Sequence, residues 1–91
     1  MSYLPRENGK KVYYEDYGSG DAALILVHGW GMGVRIWDYN LATLVAAGHR
    51  VVAIDHRGCG KSDKDFADVG INAIAGDVVA LVSELGLDKV V

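Results

Sequence analysis

The chain has 91 residues, the size of one domain, and its apolar fraction of 51% is typical of a folded globular protein. Its net charge of −3 and its singly spaced basic residues, apart from Lys10 and Lys11, exclude a clustered basic face for nucleic acid. A single cysteine, Cys59, excludes an internal disulfide. No run approaches the ~18 apolar residues of a membrane span, so we expect a cytoplasmic protein without a membrane partner.

The first third of the chain predicts three strands. Residues 2–4 form a short strand that leads through Pro5 into the turn dipeptide Asn8-Gly9. Residues 11–17 are rich in β-forming side chains and predict a half-exposed strand antiparallel to the first. Residues 23–27 are apolar without alternation, which predicts a strand covered on both faces.

Two amphipathic helices follow, over residues 35–47 and 71–85, separated by a short apolar strand at residues 50–55. Gly48 and Gly86 stand where a glycine ends a helix. Residues 88–91 begin one more strand. The order β-β-β-α-β-α-β predicts the α/β class, with a mostly parallel sheet, an antiparallel N-terminal edge and helices on both faces. The helical faces are defined by Trp37, Leu41, Leu44 and Val45, and by Ile71, Ile74, Val78, Leu81, Val82 and Leu85.

The sequence HGWGMG at residues 28–33 joins the third strand to the first helix. A glycine-rich bend there delivers free backbone N–H groups that can stabilise an anion. One interpretation is a dinucleotide turn, with Asp55 as the ribose-binding acid ~20 residues later, but Val34 replaces the third glycine of that fingerprint. The other is an oxyanion loop, with His28 anchoring the turn and the Trp30 N–H facing the developing charge.

A second glycine-bearing motif, DHRGCGKSD, covers residues 55–63. Its Gly60-Lys61-Ser62 segment mimics the end of a phosphate-binding loop, but Asp55 stands where that loop requires a glycine. We therefore expect a structural loop, with Arg57 held by carbonyls or carboxylates and with His56 on the surface.

A nucleophile is missing from the pattern. The G-x-S-x-G elbow follows a short apolar strand in hydrolases, whereas Ser62 stands in GKSDK within a polar loop. Cys59 is the one strong nucleophile, and His56 lies three positions before it, but nothing in the sequence orients this pair toward Trp30.

The two motifs in this order, each closing a strand and with Trp37 early in the intervening helix, resemble the α/β-hydrolase superfamily. The closest likeness is to its esterase, perhydrolase, epoxide-hydrolase and haloalkane-dehalogenase branch. The resemblance implies that Trp30 is the backbone oxyanion donor. It also implies a substrate-binding role for His28, Gly29, Gly31 and Met32, and a supporting loop built from Arg57, Gly58, Gly60 and Ser62.

The same resemblance implies that residues 1–91 are the N-terminal fragment of a single α/β-hydrolase domain, ending before the nucleophile elbow. We expect the parent to be a serine hydrolase acting on carboxylic esters, without metal or cofactor. The chain alone is expected to be inactive, because nucleophile, catalytic acid and catalytic histidine would lie downstream. The alternative is a small homodimeric α/β module that binds an anion or nucleotide at the glycine-rich loop.

An incomplete sheet also predicts a partner. The third strand would be central in the family's sheet, and the short strand beginning at Lys89 leaves much of its edge open. We expect either a homo-oligomer, formed by edge-strand pairing or by swapping of elements, or association with the missing C-terminal part of the hydrolase.

Overall fold

A computed structural model describes residues 2–91. Its strands form one five-stranded sheet in the order β1-β2-β4-β3-β5. Strand β3 pairs in parallel with β4 and β5, whereas β1 and β2 are antiparallel to their neighbours. The predicted α/β class and the predicted order of elements along the chain are confirmed. The elements are β1 Ser2–Pro5, β2 Lys11–Tyr17, β3 Ala22–Val27, α1 Asp38–Ala46, β4 Arg50–Ile54, α2 Ile71–Glu84 and β5 Lys89–Val90.

Both helices end as the sequence predicts. Gly48 and Gly86 have positive φ angles of 92° and 63°. After α1, the N–H of Gly48 donates to the Val45 carbonyl and that of His49 donates to the Leu44 carbonyl, and α2 ends with the same pair of bonds. The start of α1 differs from the prediction, because Val34–Trp37 forms a separate 3-10 turn before the α-helix begins.

The two helices cover opposite faces of the sheet. On the α2 side, alternate strand residues such as Val12, Tyr14 and Val52 pack against Leu81. On the α1 side, Tyr13, Ala53 and the 3-10 turn residues Val34 and Trp37 form a second cluster. This arrangement places the loops that follow β3 and β4 next to each other at the carboxyl ends of two parallel strands.

Three expectations about burial were wrong. Strand β2 is covered on both faces, because Val12 and Tyr14 pack in the cluster with Leu81 of α2 and Tyr13 packs with Val34 and Trp37 on the other side. Strand β3 is only half covered, because α1 packs against β4 rather than against β3. Ile71 is 78% exposed, since the buried face of α2 runs through Ile74, Asp77 and Leu81. Over residues 2–91, neither helix combines the length and hydropathy needed to cross a membrane.

Candidate functional site

The HGWGMG segment forms a tight turn at the carboxyl end of β3. The Met32 N–H donates to the Gly29 carbonyl at 3.1 Å, and Gly31 at the third position has φ +77°. This combination is a type II turn, which requires positive φ at that position. Trp30 and Met32 are 67% and 50% exposed. None of the hydrogen bonds found within residues 2–91 uses the Trp30 backbone N–H.

The turn has a fixed orientation because two donors, the His28 ring and the Met32 N–H, bind its Gly29 carbonyl. The Nδ1 of His28 lies 2.6 Å from this carbonyl oxygen and donates to it, beside the bond from Met32. The Gly29 carbonyl and the Trp30 N–H belong to one planar trans peptide and point in opposite directions. Holding the carbonyl on the protein side therefore directs the Trp30 N–H outward.

His56 is buried at 6% exposure, so the expectation that it lies on the loop surface was wrong. Its backbone N–H donates to Nε2 of His28 at 2.9 Å, and its own Nε2 donates to the His28 carbonyl at 2.8 Å. Burial lowers the pKa of His56 and favours its neutral form. Its Nδ1 has no partner among the described residues, and Cys59 is also buried, so these two side chains form no nucleophile–base pair.

Asp55 ties the loop after β3 to the loop after β4. Its Oδ1 accepts the Val34 N–H at 2.7 Å, and its Oδ2 accepts the Lys61 N–H at 2.8 Å. A Cβ at Gly60, which has φ +52°, would stand closer than 3.0 Å to the Asp55 carboxylate. Since Asp55 is 2% exposed and both its oxygens are occupied, it does not present the free acid that a ribose-binding site requires.

Ser62 continues the sheet where β4 ends. The Ser62 hydroxyl accepts the Tyr13 N–H at 2.8 Å and donates to the Asp55 carbonyl at 2.7 Å. The Tyr13 N–H of β2 points to the side of β4, but β4 has already ended there. The Ser62 hydroxyl supplies the acceptor that a strand would otherwise provide. Ser62 is 3% exposed and, with these bonds, has a structural position rather than that of a nucleophile.

Arg57 is 1% exposed and uses all five of its N–H donors. It forms two bonds to the Asp77 carboxylate, two to the Glu7 carboxylate and one to the Asp68 carbonyl. The Asp77 carboxylate raises the pKa of Arg57, and Arg57 lowers the pKa of Glu7 to about 2. The prediction that carbonyls and carboxylates hold Arg57 is confirmed, and Gly58, with φ +83°, continues the same loop.

Two acidic residues of this region were missed at the sequence level. Asp77 lies on the apolar face of α2, three residues after Ile74 and four before Leu81, and that position was a usable signal for a buried ion pair. Glu15 lies on the same face of β2 as Tyr13 and Tyr17, two residues from each, and accepts a hydrogen bond from each phenol. Burial alone would raise the pKa of Glu15, but the two hydroxyls and the Arg35 guanidinium lower it overall.

A surface groove of about 370 Å³ lies away from the Trp30 turn. It crosses the opposite, N-terminal ends of β4, β3 and β5, where it is lined by Ala22, Ala23, His49, Arg50, Lys89 and Val91. No cluster of three or more metal-ligating side chains occurs within residues 2–91.

The sequence and the fold are similar to those of known hydrolases. The alpha/beta hydrolase fold family matches residues 22–91. The chain is 36% identical over 91 residues to a non-heme haloperoxidase of Rhodococcus erythropolis, and 35% identical over 92 residues to a bifunctional esterase/perhydrolase of Acinetobacter calcoaceticus. Each match covers the whole of this chain and 33% of the relative.

The solved structures give the same result. An esterase from Exiguobacterium antarcticum superposes with a TM-score of 0.87 at 31% identity, covering 98% of this chain and 33% of the esterase. The chain thus spans about a third of the length of the relatives it matches. With the family match extending over residues 22–91 and the fold in agreement, the chain belongs to the alpha/beta hydrolase family.

Proposed function

We propose that residues 1–91 supply the oxyanion-binding part of an ester-hydrolysing site, with the Trp30 backbone N–H as one donor. The observation that carries this proposal is the outward-facing Trp30 N–H, which has no acceptor among residues 2–91 and lies in a turn held by His28. The turn stands at the carboxyl end of a parallel strand, where ligands bind in open α/β sheets.

A donor of this kind acts on the transition state of acyl transfer. When a nucleophile attacks an ester carbonyl, negative charge develops on the oxygen, and a pre-oriented N–H stabilises that charge without reorganising. The bond from His28 to the Gly29 carbonyl keeps the donor in place, and the exposed side chains of Trp30 and Met32 offer apolar surface to a substrate. Gly31 gives the turn its shape. The loop that contains Arg57, Gly58, Gly60 and Ser62 supports the turn through the bonds of its first residues, Asp55 to Val34 and His56 to His28.

We propose that the nucleophile, the catalytic acid and the catalytic histidine lie outside these residues, and that the chain alone is inactive. The sequence contains no G-x-S-x-G elbow. Ser62 and Cys59 are buried, and the Nε2 of His56 is engaged with the His28 carbonyl. Ester hydrolysis as the reaction is supported by two of the similar proteins, an esterase/perhydrolase and an esterase.

We also propose that the open side of β3 binds another polypeptide, either the remainder of a hydrolase or a second copy of this chain. Strand β5 pairs with β3 at Ala22 and Ala23, and Val91 adds two bonds: its N–H donates to the Ala23 carbonyl and its carbonyl accepts the Ile25 N–H. Val27 and Val91 are 44% and 88% exposed beside this edge. An unpaired apolar edge is a template for strand pairing.

The free Cys59 supports a reducing, cytoplasmic location.

The proposal is tested by assaying p-nitrophenyl acetate hydrolysis by the chain alone and by the chain mixed with the remaining two thirds of the Exiguobacterium antarcticum esterase. We expect no turnover from either polypeptide alone, and turnover from the mixture, accompanied by a complex in size-exclusion chromatography with light scattering. Enzyme-like turnover by the chain alone that disappears in Cys59→Ala would contradict it. So would tight nucleotide binding in a parallel titration, which would favour the alternative binding module.

A further inference from the structure

His28 and His56 contact each other through two hydrogen bonds that run in opposite senses. The His56 N–H donates to the His28 ring, and the His56 ring donates to the His28 carbonyl. The ring centroids are 4.1 Å apart, and the exposed fractions are 4% and 6%. These contacts join the last residue before the Trp30 turn to the loop after β4.

The bond to the His28 ring selects its tautomer. Because Nε2 of His28 accepts the His56 N–H, the proton of a neutral His28 must be on Nδ1, where it donates to the Gly29 carbonyl. The tautomer of His56 is the opposite one, since its Nε2 donates to the His28 carbonyl and its Nδ1 is left without a partner within residues 2–91.

The bond to the His28 carbonyl acts on the backbone directly. This carbonyl shares a planar peptide with the Gly29 N–H, and the Gly29 carbonyl shares the next one with the Trp30 N–H. His56 therefore restrains the first peptide through its ring, and the second through its backbone N–H, which fixes the tautomer of His28. One residue, His56, thus fixes the orientation of both peptide planes that lead to the Trp30 N–H.

We infer that His56 is a positioning residue, which orients the oxyanion donor of Trp30 through His28. The inference rests on the proposed function of Trp30, and His56 itself contacts no substrate in this role. A residue at position 56 needs a side-chain N–H that reaches the His28 carbonyl. Glutamine can place a donor at a distance similar to Nε2 of histidine, whereas phenylalanine keeps the ring and removes the donor.

The test compares the full chain with His56→Phe, His56→Gln and the control His49→Gln, whose histidine is exposed at the end of α1. Long-range proton–nitrogen NMR spectra report the tautomer of each ring, and hydrogen exchange reports protection of the Met32 N–H. In the unchanged chain we expect opposite tautomers for His28 and His56. In H56F we expect Met32 protection to fall about tenfold relative to amides of β4, the scale of one lost buried hydrogen bond. His28 should keep its tautomer, because the backbone N–H of residue 56 that fixes it is still present.

H56Q and H49Q should retain the His28 tautomer and the Met32 protection of the unchanged chain. A lower stability of H56F with unchanged Met32 protection would show a merely structural residue and overturn the inference. A loss of Met32 protection in H56Q as large as that in H56F would overturn it as well. If H56F does not fold, His56→Asn, whose shorter amide cannot reach the carbonyl, replaces it with the same expectation. Failure of the proposed function would look different: a reconstituted enzyme lacking the Trp30 N–H would keep its catalytic rate, while Met32 protection in the chain would still fall in H56F.

Discussion

Asp77 and Arg57 meet in a buried ion pair with two parallel hydrogen bonds, 2.8 Å from Nε to Oδ2 and 2.7 Å from Nη2 to Oδ1. This pair joins α2 to the loop that follows β4. Arg6 and Glu7, from the turn between β1 and β2, extend it on both sides, so that two cations face two carboxylates. The cluster joins three separate parts of the chain: the turn between β1 and β2, the loop after β4, and α2.

Removing Asp77 should be strongly destabilising, because Arg57 would remain buried with its main counter-charge lost. Breaking one partner of a buried pair costs about 3–5 kcal/mol. We expect Asp77→Ala to lower the free energy of unfolding by about this amount in urea denaturation. Glu84→Ala, at an exposed position of the same helix, is the matched control and should change it by less than about 0.5 kcal/mol. Equal small effects of the two substitutions would contradict the importance given to this pair.

Gly60→Ala tests the close approach of Asp55 to the loop. The substitution places a Cβ against the Asp55 carboxylate in addition to the cost of a positive φ. Gly86→Ala is the control, because Gly86 has φ +63° and open space around its Cα. We expect G86A to cost about 1 kcal/mol in the free energy of unfolding, and G60A clearly more. A G60A protein as stable as G86A would mean that Asp55 is free to move.

Ser62→Ala tests the hydroxyl that replaces a strand partner. The change leaves the buried N–H of Tyr13 without an acceptor, which costs about 1–3 kcal/mol. Thermal or urea unfolding should show this loss, whereas Ser83→Ala, at an exposed position of α2, should be neutral or slightly stabilising. An unchanged stability of S62A would indicate that another group takes over the bond.

Glu7 predicts an acid-dependent loss of stability. Its pKa is lowered from 4.5 to about 2, chiefly by its hydrogen bonds to Arg57. A carboxyl whose pKa is lower in the folded state stabilises the fold above its ordinary pKa, and this contribution is lost as the pH falls from 4.5 toward 2. Urea midpoints measured across this range should fall more steeply for the unchanged chain than for Glu7→Gln. Because the other carboxyls are common to both proteins, parallel curves would contradict the assignment.

Much of the fold was predictable because its signals are local. Uninterrupted apolar runs indicated the parallel strands, and Gly48 and Gly86 marked the helix ends. The HGWGMG segment indicated a tight turn with free N–H groups, since glycine at Gly31 permits the required positive φ.

The unpredicted features depend on contacts between distant segments. Gly33 has no side chain to cap the 3-10 turn, and the acceptor for the Val34 N–H comes from Asp55, 21 residues later. His56 is buried because it packs on His28, 28 residues earlier, although its own loop is polar and rich in glycine. Local patterns contain no information on such pairs. The dinucleotide interpretation assigned Asp55 as a ribose-binding acid. In the structure its carboxylate instead accepts the backbone N–H groups of Val34 and Lys61.

The most direct measurement uses the Exiguobacterium antarcticum esterase with its matching third replaced by residues 1–91, carrying either Trp30→Pro or Trp30→Ala. Proline suits the second position of a type II turn, so W30P removes the donor N–H while keeping the turn, and W30A removes only the indole. We expect kcat for p-nitrophenyl acetate to be about 100- to 1,000-fold lower in W30P than in W30A. Equal kcat values for the two variants, with the turn intact, would contradict an oxyanion role for this chain.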